Sequence, residues 1–70
     1  MINTKQLLES KWPILDHKTD IIYVITKIYS DQRINHCKVI YLQALKGDQK
    51  QQFTEDYFNK LVNLNQLQIL

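Results

Sequence analysis

The side chains able to do chemistry are few in this 70-residue chain and do not converge. His17 stands between Asp16 and Asp20, a spacing in which a carboxylate can orient an imidazole as a general base. A solvated loop ahead of a strand is the plainer account of that cluster, because polar residues collect in loops. His36 and Cys37 are neighbours. On an extended segment neighbours leave opposite faces, so the pair is poorly placed to grip one ion, and structural zinc sites want four ligands. Cys37 is the only cysteine, which excludes an intrachain disulfide and suits a reducing compartment. With no base beside it, it is expected as a small strand residue rather than a nucleophile. Ser10 and Ser30 lack a Gly-x-Ser-x-Gly surround, the seven carboxylates show no catalytic pairing, and the lone Gly47 excludes a glycine-rich phosphate loop. The expectation is a protein without catalytic residues, metal or cofactor.

Length and composition fix the scale. Residues 1–70 make one domain, and 44% apolar content with charges of both signs and a net charge of +2 is globular rather than disordered. A core of this size leaves only about 3–5 kcal/mol of net stability without help from disulfides, metals or association. The opening MINTKQLLESKWPIL lacks a secretory pattern, and no window approaches the ~18 apolar residues of a membrane span, so a soluble, cytoplasmic protein is expected. With one Gly and one Pro, left-handed backbone positions must fall to Asn or Asp at some strain.

These signals predict an α+β fold. A first helix is expected over about 4–11: Asn3 can cap it, Gln6 follows three places later, Ile2 can meet Leu7 as a staple, and Pro13 stops it at or before Trp12. The run DIIYVITKIYS, about 20–30, is dense in β-branched and aromatic residues and predicts a strand; about 36–46 predicts a second, joined by the polar SDQRIN. Gly47-Asp48 ends it, and about 50–54 adds a third. A second helix is predicted over about 55–63, capped by Thr54, with Glu55 and Asp56 in its first turn, Phe53 and Phe58 at staple positions, and Asn63 as C-terminal cap. The tail alternates at Leu67 and Ile69, which suits a closing strand over 66–70, while Leu64 and Leu67 also suit a continuing helix.

The central hairpin has two apolar faces. With its loop centred near Arg33, Tyr29 lies opposite Cys37 and Tyr23 opposite Gln43. One face then holds Ile22, Val24, Thr26, Ile28, Ile40, Leu42 and Ala44 and is the expected core. The other holds Ile21, Tyr23, Ile25, Lys27, Tyr29, Val39, Tyr41 and Leu45, with Gln43. A helix or the curled end of the sheet can cover this second face, part of it can meet another molecule, and the two are not exclusive. A slip of one residue exchanges the two faces.

Trp12 ahead of IIYVI at 21–25, KVIYLQAL at 38–45, and Phe53 and Phe58 leading into Leu61 together resemble short SH3-like barrel domains carried by phages and bacteria, over about residues 12–64. The resemblance implies a small antiparallel barrel and an adaptor or regulatory role, and it carries over no functional residue. Pro13 after the Trp and the scarcity of Gly depart from the family pattern and leave an open sheet flanked by two helices as the alternative.

Two functions follow. The first is a non-enzymatic accessory protein that binds a protein partner, in the manner of small inhibitors encoded by phages and mobile elements, through Tyr23, Lys27, Tyr29 and Tyr41 with Arg33 in the loop. Its simplest form is a homodimer. The alternative is a small nucleic-acid-binding barrel that stacks bases on Tyr29 and Tyr41 among Lys27, Arg33 and Lys38. The modest charge and a pI near 8.8 weigh against it.

Overall fold

The computed structural model describes residues 3–31 and 37–70. Its elements run α1 (Thr4–Ser10), β1 (Ile14–Asp16), β2 (Ile21–Asp31), β3 (Cys37–Ala44), β4 (Lys50–Thr54), α2 (Glu55–Asn63) and β5 (Leu67–Ile69). All strands pair antiparallel in the order β4-β3-β2-β1-β5, leaving an open sheet with β4 and β5 at its edges. The expected elements are present within a residue or two. β1, a three-residue strand that begins directly after Pro13, was not expected; it receives the tail as β5, with Ile14 opposite Ile69.

Local chemistry explains the helix limits. Asn3 accepts from the Gln6 N–H at 3.1 Å and Thr54 from the Tyr57 N–H at 3.2 Å, each satisfying a first-turn donor. α1 ends in a Schellman motif: Lys11 N–H donates to Leu8 O, Trp12 N–H donates to Leu7 O, and Lys11 takes left-handed φ 49. α2 ends the same way, with Asn65 at φ 62 and Gln66 N–H donating to Leu61 O. The stop is therefore at Asn65, two residues beyond the expected Asn63. Among the described residues Asp20 at φ 61 and Gly47 at φ 103 fill the other left-handed positions. No described helix is long and apolar enough to cross a membrane.

Both helices contribute to a single core on one face of the sheet. Leu7 of α1 and Phe58 and Leu61 of α2 are buried with Ile14, Tyr23, Ile25, Ile40, Leu42, Ala44 and Leu67. The hairpin register departs from the expected one. Tyr29 pairs with Val39 and Ile28 with Ile40, whereas Tyr23 pairs with Ala44 and Ile25 with Leu42, because Thr26 is an extra residue bulged out of β2. β3 keeps the expected parity, with Ile40, Leu42 and Ala44 inside. β2 changes parity at the bulge: Tyr23 and Ile25 are inside before it, and Ile28 turns inward after it. Ile22 and Val24, expected in the core, thus belong to the outer face.

Candidate protein-docking face

The outer face is built by opposite residues of adjacent strands, which point to the same side of a sheet. In register order it carries Leu15 with Ile22, Val24 with Gln43 and Lys50, Lys27 with Tyr41 and Gln52, and Tyr29 with Val39 and Thr54. Among the described residues no helix lies on this side, since both pack on the core face. Tyr29 remains 44% exposed and Ile22 37%, and Leu45, 58% exposed, extends the apolar strip beyond the end of β3.

At the centre Lys27 Nζ lies 5.4 Å from the Tyr29 ring centroid and 5.9 Å from that of Tyr41. Both distances suit a cation over a π face, each contact contributing about 0.5–1 kcal/mol at an exposed site. The bulge makes this grouping: by returning β2 to the opposite parity, it sets Lys27 directly across from Tyr41. Thr26 Oγ1 donates to the Tyr41 carbonyl at 3.4 Å. Beside the group a shallow hollow of about 430 Å³ is lined by Thr26, Lys27, Tyr41, Gln43, Lys50 and Gln52, among others. A second, of about 320 Å³, lies between Ile22 and Leu45 at the far end of the hairpin.

Comparison of the chain with family models, curated proteins and solved structures finds no match. Its own geometry therefore carries the functional argument.

Three of the expected docking residues, Lys27, Tyr29 and Tyr41, come together on this face. Tyr23 does not. It is 2% exposed on the opposite side, where its hydroxyl accepts from Gln51 Nε2 at 3.0 Å, so it is a core residue. Arg33 lies outside the described residues, as do His36 and the side chain of Cys37. Gln43 was expected on this face; Ile22, Val24, Lys50 and Gln52 were not. One signal marked the change of parity: Thr26-Lys27 is the only pair of adjacent polar residues between Ile21 and Tyr29.

The Asp16–His17–Asp20 cluster is dispersed. Asp16 is buried, accepting from the Lys18 N–H at 2.9 Å and Gln51 Nε2 at 3.0 Å. His17 Nε2 is 2.8 Å from Gln68 Oε1, and Asp20 closes the turn, its N–H donating to Asp16 O. Asp16 thus holds the turn and core together rather than orienting an imidazole. Among the described residues no three His, Cys, Asp or Glu side chains are placed to share a metal ion.

Proposed function

We propose that the chain is a non-enzymatic accessory protein whose outer sheet face binds a protein partner. The observation that carries this is the uncovered face itself: apolar Ile22, Val24 and Val39 around two tyrosines that clasp a lysine. Tyrosine gives large contact area with few rotors and a polar tip, the composition favoured at protein interfaces. A partner would also add burial to a small domain. Acting by covering its target's surface, as small inhibitors of phages and mobile elements do, is the mode this face suits, and the likeness to SH3-like modules belongs to the same proposal.

The face disfavours a homodimer through itself. Lys27 and Lys50 both lie at the centre of this face, so two copies placed centre to centre would oppose like charge there. Nucleic acid is the second reading, favoured by the Tyr29–Lys27–Tyr41 grouping as a stacking platform.

Affinity capture from cells of origin, comparing the wild type with a Y29S/Y41S variant after nuclease treatment, tests the proposal. A protein retained by the wild type and lost from the variant supports it. Equal retention by both, or retention abolished by nuclease, overturns it.

A further inference from the structure

We infer that the hollow at the bulge is a carboxylate pocket, in which an Asp or Glu side chain of the partner sits between Lys27 and Lys50. This rests on the outer face being the docking surface and adds the chemistry of what docks there. Lys27 and Lys50 both line the same hollow, together with Gln43 and Gln52, whose amide N–H groups can donate to an anion. Among the described residues that line the hollow none is an Asp or Glu. The contacts of Lys27 with both rings hold its flexible stem in place, so less rotamer entropy is left to lose when an anion arrives.

Charge and shape favour a protein carboxylate over a nucleic-acid strand. A strand repeats a phosphate at each nucleotide and needs a track of cations, whereas the described cations of this face stop at these two. Around the pocket the surface becomes apolar, with Val24, Val39 and Ile22. The matching ligand is therefore an acidic residue flanked by apolar ones.

The test uses the ¹⁵N-labelled full chain and three probes: a six-residue peptide alternating Glu and Val, the same peptide with Gln for each Glu, and decathymidylate. The Glu peptide is expected to shift the amides of Thr26, Lys27, Tyr41 and Gln52, and to bind about tenfold more weakly to a K27Q/K50Q variant, as removal of a docked charge pair implies. The Gln peptide is expected to lose a similar factor. Three results would overturn the inference: equal binding of the two peptides, no shift at those amides with the Glu peptide, or shifts there with decathymidylate alone. The capture experiment separates this inference from the broader one. If K27Q/K50Q retains the partner as the wild type does while Y29S/Y41S loses it, the docking face stands and the carboxylate pocket fails.

Discussion

Gln51 Nε2 donates to Asp16 Oδ2 at 3.0 Å although β4 and β1 are separated by two intervening strands. In a flat sheet the three strand spacings alone would hold their backbones about 14 Å apart. The registers add a diagonal offset, since Gln51 lies opposite Leu42 and hence Ile25, whereas Asp16 lies opposite Ile21. Only a strongly coiled sheet brings these positions within side-chain reach, and the bulge at Thr26 adds local twist of the required hand. The same coil folds one face around the core and presents the other outward. Thus a polar link inside and the proposed docking surface outside share one cause.

That link has a measurable value. Gln51→Ala leaves buried Asp16 with the Lys18 N–H and removes the donor to the Tyr23 hydroxyl. It should cost about 1–3 kcal/mol in urea unfolding, the usual penalty for a buried polar group that loses its partner. Gln51→Glu, which sets a second carboxylate against Asp16, should cost more than Gln51→Ala.

The tyrosines should divide by face. Tyr23→Phe loses a buried hydrogen bond and should cost about 1 kcal/mol of stability while leaving partner capture intact. Tyr29→Ser alters a side chain 44% exposed and should change stability by no more than about 1 kcal/mol, the scale of its contact with Lys27, while weakening capture. Denaturant curves run beside the capture assay read both effects, and the opposite division would reverse the assignment of the faces.

Lys11 is a strained Schellman residue at φ 49 where glycine is the ordinary occupant. Lys11→Gly should raise stability by up to about 1 kcal/mol, which for a domain this small is about 4–8 °C in Tm. Thermal melts followed by circular dichroism would show it.

Phe58 is fully buried against the sheet. Removing its ring costs about 3–5 kcal/mol, comparable to the whole net stability expected of a domain this size. Phe58→Ala should therefore be largely unfolded, seen as collapsed dispersion in its amide spectrum.

Much of this architecture was legible because short-range rules governed it. Asn3 and Thr54 cap as their types dictate, and the β-branched density of 21–30 specifies β2. The open sheet flanked by two helices was one of two alternatives the sequence left. β1 escaped because three residues are too few to show a period, and its pairing with β5 is long-range. The faces of β2 were half legible: IIYVI is apolar at both parities, so nothing before Thr26-Lys27 shows which side is inside. Tyr23 was misplaced for that reason alone, while Lys27, Tyr29 and Tyr41, beyond the bulge, fell on the expected side.

The most direct test of the outer face as a docking surface is site-specific photo-crosslinking in cells of origin. A benzophenone amino acid would replace Tyr29 on that face and, separately, Lys60, exposed on α2. A discrete protein adduct at position 29 and none at 60 is the predicted result. Adducts at 60 with none at 29, or adducts at 29 made only of nucleic acid, would contradict it.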